Sequence, residues 1–417
     1  MHIHKYLFLI LLLFSSFIFS QSIYGAYGLG LNKSMSHTST NGGGGIGLAP
    51  LFYRGVSIDN ISTWPNLGAT FISASYISEY SQYDKSKSPT NFSGISGFQL
   101  IAPFKERFAI GISIKPVNAT KSSFITDTLN IVYNDSELST SKFLTAGGGI
   151  LMTSFGISFP LSQNFGIGVS VNNYFGSTRD QQSIYIEPYN YRLFNIRSFS
   201  GSTIGFDMSG NIFSINNKNL IVFSKLTLAP NPLSAILYTF DMYEDRNNNY
   251  AFDAADYPNE IKVDTLLLDD TYAPFELSLG ASFNFNENLI LFSEIQNFND
   301  KGTNTNLKTI LNDRINNKIH TVVGLIRYGN LASRSWQDQL TTRIGINQNK
   351  YIFNLSDKKV IENGISFGIG YKFGIMGNQI DLSFRVGNRE SERQKELIQE
   401  FNISISLGDI WFLKRRK

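Results

Sequence analysis

A run of oxygen-bearing side chains in the second half of the chain has the spacing of a calcium-binding loop. The side chains of Asp245, Asn247, Asn249, Asp253 and Asp256 fall at positions 1, 3, 5, 9 and 12, and the Ala251 carbonyl falls at position 7. Calcium loops supply carboxylate and amide oxygens at this spacing. Tyr250 stands where the sharp turn favours Gly, and Asp256 stands where a bidentate Glu is usual. The pattern predicts either a calcium site, Ca²⁺ being the one cofactor considered, or a solvated, Asn-rich turn.

Other residues that could do chemistry are sparse. The chain has no Cys, which excludes disulfides, thiolate zinc sites and a cysteine nucleophile. Only His37 and His320 lie outside the first few residues. No dinucleotide-binding, P-loop or serine-hydrolase motif occurs between a strand and a helix. We therefore expect neither an enzyme nor a required cofactor.

The composition excludes several further classes. Hydrophobic residues make up 42%, aromatic residues 14% and charged residues 17%, which does not fit a disordered chain. The formal net charge of +3 lacks the basic excess of a nucleic-acid binder, so no nucleic-acid partner is expected. After residue 20 no apolar run approaches the roughly 18 residues that cross a bilayer as a helix.

The first 20 residues predict a signal peptide. A short basic start is followed by the apolar run Tyr6 to Phe14 and then by small residues up to Ser20. This order is typical of secretory leaders, and it predicts export with Gln21 as the first mature residue.

The rest of the chain alternates between apolar and polar residues with a period of two. In one example, Ile380, Leu382 and Phe384 interleave with Asp381 and Ser383. Such alternation predicts strands with one apolar and one polar face. The runs last about 9–13 residues, the length that crosses a bilayer as a tilted strand, and lipid-exposed strands must close into a barrel.

About fourteen such segments are present: 67–79, 92–102, 107–118, 143–159, 164–176, 200–215, 219–229, 273–285, 288–298, 318–329, 338–348, 364–374, 377–388 and 400–409. Short and long connections alternate, as periplasmic turns and extracellular loops do in outer-membrane barrels. The long connections are 80–91, 119–142, 177–199, 230–272, 299–317, 349–363 and 389–399. The predicted fold is an all-β, transmembrane antiparallel β-barrel of about 14 strands in the outer membrane of a Gram-negative cell, with 230–272 as the longest outer loop.

The alternation also predicts the direction of individual side chains. Nine polar residues are expected to face the lumen: Lys115, Asp207, Glu276, Glu294, His320, Arg343, Lys372, Asp381 and Arg385. We expect these residues to pair with one another and with the segment that fills the lumen. Aromatic residues near strand ends are expected in interfacial girdles: Tyr174, Phe175, Tyr328, Trp336, Tyr351, Trp411 and Phe412. Apolar residues near the outer loops offer a pocket: Phe194, Phe199, Leu233, Ile236 and Leu237.

Before the first strand, the sequence does not alternate. It reads YGAYGLG at 24–30, GGGGIGL at 42–48 and SIDNISTWPNL at 57–67. This segment resembles the N-terminal hatch of the long-chain fatty acid transporter (FadL-like, OmpP1-type) family, in the form found in Bacteroidetes. Asn60, Ile61 and Ser62 stand where that family carries Asn-Pro-Ala, so the proline is absent. The ending WFLKRRK at 411–417 is similar to the ending of Bacteroidetes members.

The resemblance implies residues 1–20 as leader, 21–66 as a periplasmic hatch that plugs the barrel, and 67–417 as the barrel. It implies passive uptake of hydrophobic, fatty-acid-like molecules, captured among the outer loops and released past the hatch. The alternatives are an adaptor barrel in type IX protein secretion or surface assembly, and a general diffusion porin. The expected partners are outer-membrane lipid, a hydrophobic ligand and the barrel-assembly machinery, with secretion-system proteins under the adaptor alternative.

Overall fold

The structure is a computed structural model of the chain. It describes residues 24, 28–32, 36–83, 90–104, 107–125, 129–133, 136–186, 189–215, 218–249, 251–304, 307–309, 313–330, 333, 335–356, 358–374, 378–392 and 394–409. The predicted signal peptide and the closing aromatic–basic residues, Trp411 and Phe412 among them, lie outside these residues.

Fourteen long strands form one closed antiparallel barrel, as the alternation predicts. They are β2 (Thr70–Tyr83), β3 (Thr90–Phe104), β4 (Phe108–Ile125), β7 (Lys142–Pro160), β8 (Phe165–Ile186), β9 (Tyr189–Ile215), β10 (Lys218–Leu228), β14 (Pro274–Asn284), β15 (Leu289–Asp300), β16 (Ile315–Arg327), β17 (Leu340–Phe353), β18 (Lys359–Phe373), β19 (Asn378–Ser391) and β20 (Gln394–Asp409). The first and last of these strands pair from Thr70↔Asp409 to Tyr83↔Glu396, which closes the barrel.

The two faces of the barrel wall differ as a bilayer requires. Along β19, Ile380, Leu382 and Phe384 point outward and are 36–46% exposed, whereas Asp381 and Ser383 point inward and are buried. Outward apolar side chains are stabilised by lipid, and inward polar side chains find partners in the lumen. No helix in the part of the chain that the structure describes is long and apolar enough to cross a membrane.

Several predicted long loops are strands that continue beyond the bilayer. β8 and β9 extend as a ribbon to Ile186↔Tyr189, and β19 and β20 extend to Ser391↔Gln394. The interpretation of 177–199 and 389–399 as loops was therefore wrong, because the backbone ladder continues after the apolar alternation fades. The 230–272 connection likewise contains strands β11 (Leu233–Phe240), β12 (Tyr243–Glu244) and β13 (Val263–Tyr272). A separate hairpin, β5 (Leu129–Tyr133) and β6 (Ser136–Thr140), lies between β4 and β7.

Residues 36–69, which we call the N-terminal segment, pack against inward-facing side chains of the wall. The segment contains a short helix α1 (Thr38–Gly42) and a 3₁₀ helix η1 (Ile61–Asn66). Its apolar residues meet two clusters of wall residues. Ile46, Leu48, Ala49 and Leu51 pack with Phe223, Ile290, Phe292, Val322 and Ile326. Phe52, Val56, Ile58, Ile61, Trp64 and Leu67 pack with Phe71, Ile101 and Ala109.

The glycine run of this segment allows a close backbone approach. A Cβ added to Gly368 of β18 would lie 2.7 Å from the Cα of Gly42, and one added to Gly345 of β17 would lie 1.8 Å from the carbonyl oxygen of Gly43. Only glycine tolerates such contacts. The segment therefore lies directly on the backbone of the wall.

The wall is incomplete between β3 and β4. Their pairing runs from Phe104↔Phe108 to Phe98↔Ile114 and ends there, although both strands continue for several residues. Beyond that point the edge of β4 is partly paired by β1 (Leu31–Asn32), in the register Leu31↔Ala119 and Asn32↔Asn118. Within the described residues, this gap, which we call the β3–β4 seam, is the one interruption in pairing between neighbouring barrel strands.

Candidate functional site in the barrel lumen

A buried carboxylate of the wall holds the glycine-rich part of the N-terminal segment. Glu294 projects inward from β15, is 2% exposed, and accepts hydrogen bonds from the backbone N–H groups of Ile46 (2.5 Å), Gly47 (3.4 Å) and Ala49 (2.5 Å). Charge-assisted bonds of this kind are shorter and stronger than neutral ones. One side chain therefore fixes the backbone of residues 46–49.

A buried ion pair holds the next part of the segment. Arg343 of β17 donates to Asp381 of β19 (2.8 Å), and both side chains are fully buried. The same guanidinium donates to the carbonyl of Leu51 (2.6 Å). The ammonium of Lys372 lies 3.4 Å from the ring centre of Tyr53. Wall charges thus bind the segment through its carbonyls and one aromatic ring.

The Asn60, Ile61 and Ser62 motif caps the 3₁₀ helix η1. The Asn60 side-chain oxygen accepts from the N–H of Ser62 (3.2 Å), and its amide donates to the carbonyl of Leu48 (3.1 Å). The N–H of Ile61 donates to the buried carboxylate of Asp207 on β9 (2.8 Å). A proline at position 61 has no N–H to donate. Ile61, which stands where the family pattern has proline, therefore makes a hydrogen bond to the wall that a proline could not make.

His37 joins α1 to the wall in its neutral form. Its Nδ1 lies 2.8 Å from the Ser39 hydroxyl and its Nε2 lies 2.9 Å from the Ser73 hydroxyl of β2. Burial lowers the pKa of His37, outweighing the carboxylates of Asp381 and Asp59, which raise it. A neutral imidazole can serve as donor at one nitrogen and acceptor at the other.

Between the N-terminal segment and the wall lies a cavity of about 80 Å³, which we call the chamber. Its polar side is formed by Lys115, Lys225 and Glu276 from the wall and by Asp59 from the segment. The ammonium of Lys225 lies 3.5 Å from the Asp59 carbonyl oxygen. Its apolar side is formed by Val117, Met152, Tyr174, Tyr272 and Phe298. One surface is thus charged and the other is apolar, as a site for an amphiphile requires.

The apolar side of the chamber continues into a larger buried cluster towards the long connections. This cluster contains Leu29, Ile150, Phe199, Leu233, Leu237, Leu268 and Leu307. Three of the five residues proposed from sequence for an outer pocket, Phe199, Leu233 and Leu237, lie here. Phe194 instead stacks on Phe240 with ring centres 3.9 Å apart, and Ile236 points outward and is 37% exposed.

Arg385 and His320 belong to a second cavity of about 80 Å³, which is lined mainly by polar residues together with Ile77 and Tyr351. Glu362 accepts from Arg385 and lies 2.7 Å from Arg389, which also pairs with Glu396 at 2.9 Å. Lys318 and Glu400 line the same cavity. The arginines and carboxylates here pair with one another, so this cluster braces the wall.

The structure places Asp207, Glu294, Arg343 and Lys372 against the N-terminal segment and Asp381 on Arg343. It places Lys115 and Glu276 at the chamber, and His320 and Arg385 at the second cavity. Sequence reasoning missed Lys225, which the alternation of β10 could have revealed, and Glu362 and Arg389, which lie in stretches interpreted as loops. The girdle interpretation was wrong for three tyrosines. Tyr174, Tyr328 and Tyr351 are 2–6% exposed and face the lumen, because each lies on the inward parity of its strand. Phe175 and Trp336 are exposed at 44% and 65%.

The predicted calcium loop forms a network of internal hydrogen bonds. The amides of Asn247 (2.9 Å) and Asn249 (2.5 Å) donate to Asp253, and the N–H of Ala251 donates to the Asn249 side chain (2.8 Å). Asp256 accepts from the N–H of Asp253 (2.9 Å). Asp245 is buried and forms an ion pair with Arg192 of β9. Among the described residues, no group of three or more His, Asp or Glu side chains is placed to hold a metal ion.

The fold is similar to solved outer-membrane channels. The chain aligns with the structure of the CymD monoaromatic hydrocarbon channel at a TM-score of 0.56 and 13% identity, covering 91% of this chain and 98% of that one. It aligns with a Pseudomonas aeruginosa FadL homologue at a TM-score of 0.53 and 14% identity, covering 94% and 99%. At these identities the likeness shows the fold alone. No curated protein matches the sequence.

The family comparison covers almost the whole chain. The BamG family model matches residues 2–417. This outer-membrane β-barrel of FadL-like fold therefore belongs to the BamG family.

Proposed function

We propose that this barrel binds hydrophobic small molecules and conducts them passively across the outer membrane, with residues 21–66 acting as its hatch. The chamber is the observation that carries the proposal. Its apolar side suits a hydrocarbon body, and Lys115 and Lys225 suit the carboxylate of a fatty-acid-like molecule. CymD, whose fold is similar, is a monoaromatic hydrocarbon channel, which supports the same general class of cargo.

The β3–β4 seam offers the chamber a sideways exit. Lys115 and Val117 line the chamber, and both lie on the part of β4 that no longer pairs with β3. On the outer side of the seam, Ile95 is 71% exposed, and Phe98 and Ile114 are each 42% exposed. A molecule that passes between these strands moves from a partly polar chamber to apolar side chains and lipid. Such transfer is favourable in proportion to the apolar area removed from water.

Binding of oleate to the purified barrel in detergent tests this proposal. The variant Lys115→Gln with Lys225→Gln should weaken oleate binding at least tenfold, because about 1.4 kcal/mol is a factor of ten and charge-assisted bonds contribute about 1.5–3 kcal/mol each. Lys372→Gln is the matched control, since Lys372 lies in the lumen on Tyr53 and does not line the chamber. Oleate binding that is absent, or unchanged in the double variant, would contradict the uptake proposal.

The second candidate is an adaptor in outer-membrane protein assembly. The family name suggests a link to barrel assembly, and the N-terminal segment is tied to the wall by Glu294, Arg343 and Asp207, which suits a closed barrel. A channel needs the chamber lysines to bind its ligand, whereas an adaptor does not. If the chain is an adaptor, Lys115→Gln with Lys225→Gln should restore the abundance of other outer-membrane barrels in cells that lack the chain as fully as the unaltered chain does.

The same experiment bears on the remaining alternatives. If the double variant loses oleate binding but still restores the abundance of the other barrels, the adaptor is favoured. If the double variant loses oleate binding and also fails to restore that abundance, uptake is favoured. A general diffusion porin requires an open polar lumen, and the N-terminal segment argues against it. A role in type IX secretion and an origin in Bacteroidetes stay predictions.

We keep calcium as a proposal for residues 245–256. The internal hydrogen bonds and the pairing of Asp245 with Arg192 give the turn an explanation that needs no metal. A chelator should speed proteolysis within 230–272 if calcium holds the turn. If chelator does not change the rate of proteolysis, the internal hydrogen bonds alone explain the order of this turn.

A further inference from the structure

Strand β13 is the free edge of the sheet that projects beyond the barrel at the end with long connections. One of its edges pairs with β11, and β11 pairs in turn with the upper part of β9. Within the described residues, no strand pairs with the other edge of β13. Near its end this edge meets the following loop, since the N–H of Asn304 donates to the carbonyl of Asp270 (3.0 Å). The uncovered part is therefore 263–268.

The uncovered part contains neither a proline nor a bulge, and its register with β11 is regular from Ala235↔Leu268 to Phe240↔Val263. Three of its four apolar side chains are exposed, on both faces, with Val263 at 43%, Leu266 at 47% and Leu267 at 58%, whereas Leu268 is buried. An exposed, regular, apolar edge is a template for another strand.

The charges around this edge select the kind of strand that fits. Among the described residues of this stretch, Glu260, Asp264 and Asp269 are exposed carboxylates, and Lys262 is an exposed cation. A second copy of the chain fits poorly. An antiparallel pair of β13 strands centred between Leu266 and Leu267 places Asp264 opposite Asp269, and like charges directly opposite each other destabilise a strand pair.

We propose that the edge of β13 binds an extended, lysine- or arginine-bearing segment of a partner protein by strand addition. The backbone of 263–268 supplies the hydrogen bonds, and the exposed leucines contact alternate apolar side chains of the partner. The carboxylates of Asp264 and Asp269 pair with its basic residues. Because the long connections of an outer-membrane barrel face outward, this partner binds at the cell surface. No residue of 263–268 lines the chamber or borders the β3–β4 seam.

Two synthetic nine-residue peptides test the proposal with the full chain in detergent. One alternates valine and threonine with lysine, and the other carries glutamate in place of lysine. We expect the lysine peptide alone to bind, with an affinity that falls as salt rises. Asp264→Lys with Asp269→Lys should weaken binding at least tenfold. Glu390→Lys with Glu392→Lys, an equal charge change on the exposed end of another hairpin, should change it less than twofold.

The absence of cysteine gives a second, positional readout. Thr265→Cys should form a disulfide with a central cysteine in the lysine peptide when diamide is the oxidant, whereas a cysteine at Ser356 on another exposed connection should not. Four results would overturn the proposal. In the first three, the lysine peptide fails to bind, both peptides bind equally, or the charge-reversed variant binds as well as the unaltered chain. In the fourth, Thr265→Cys dimers form faster than the peptide adduct, which would make a second copy the occupant.

Discussion

Replacement of Glu294 should release the N-terminal segment while the barrel stays folded. Glu294→Ala removes the acceptor of the N–H groups of Ile46, Gly47 and Ala49 in a buried place. A buried donor left without a partner costs about 1–3 kcal/mol. Loss of the two short bonds alone should therefore cost about 2–6 kcal/mol of segment stability. Water that enters the site and bonds the freed N–H groups brings this cost to about 3 kcal/mol. At about 1.4 kcal/mol per decade, the segment should open roughly 100-fold more often.

The absence of native cysteine makes this opening measurable. Thr38→Cys places a thiol at a site that is 1% exposed, so a soluble maleimide should label it only when the segment leaves the wall. Labelling in the Glu294→Ala background should be roughly 100-fold faster. Glu392→Gln, which changes an exposed carboxylate just after β19, is the control. Labelling of the Glu294→Ala protein within twofold of its parent would refute the idea that this carboxylate holds the segment.

Three further predictions concern the same lumen and wall. Ile61→Pro, which deletes the N–H that Asp207 accepts, should cost about 1–3 kcal/mol of segment stability and speed the same thiol labelling; unchanged labelling would mean that the bond is dispensable. The pKa of His37 is lowered in the folded state, so segment stability should be full above the ordinary value of 6.5 and fall as pH drops below it, and His37→Gln should flatten that labelling profile. Ile112→Arg on the lipid face should cost about 2–4 kcal/mol in urea unfolding, and Ser113→Arg should cost far less; equal losses would contradict the assigned faces.

The sequence allowed the barrel to be predicted because a bilayer imposes the same rule on every strand. All fourteen segments became strands, since the outward face must be apolar over the whole crossing. The rule ends where the lipid ends. Outside the bilayer, ribbons such as β8–β9 need no apolar outer face, and their residues, among them Arg192 and Arg197, no longer alternate between apolar and polar.

The lumen could be predicted in part for a related reason. Parity gave the direction of Glu294 and Asp207, but the partners of both are backbone N–H groups of a segment without periodicity. Which carboxylate meets which turn depends on how residues 36–69 lie across the barrel, and local sequence does not encode that path. The prediction that the tyrosines lie in interfacial girdles failed for a different reason. Tyr174 and Tyr328 stand at the right height for a girdle, and only strand parity distinguishes the lipid face from the lumen.

The path of the N-terminus constrains the order in which the chain can assemble. Tyr24 donates from its hydroxyl to Ser391 (3.0 Å), a partner 367 positions later, and Leu67 lies at the opposite end of the lumen. The described residues between them are therefore enclosed by a ring that closes only when β2 pairs with β20. Contacts so distant along the chain form late, because the intervening loop must first be ordered. The N-terminal segment must either lie inside the curved sheet before β20 pairs with β2, or pass into the barrel after it has closed. The first route requires that whatever assists insertion keep the β2–β20 edge open until the segment is in place.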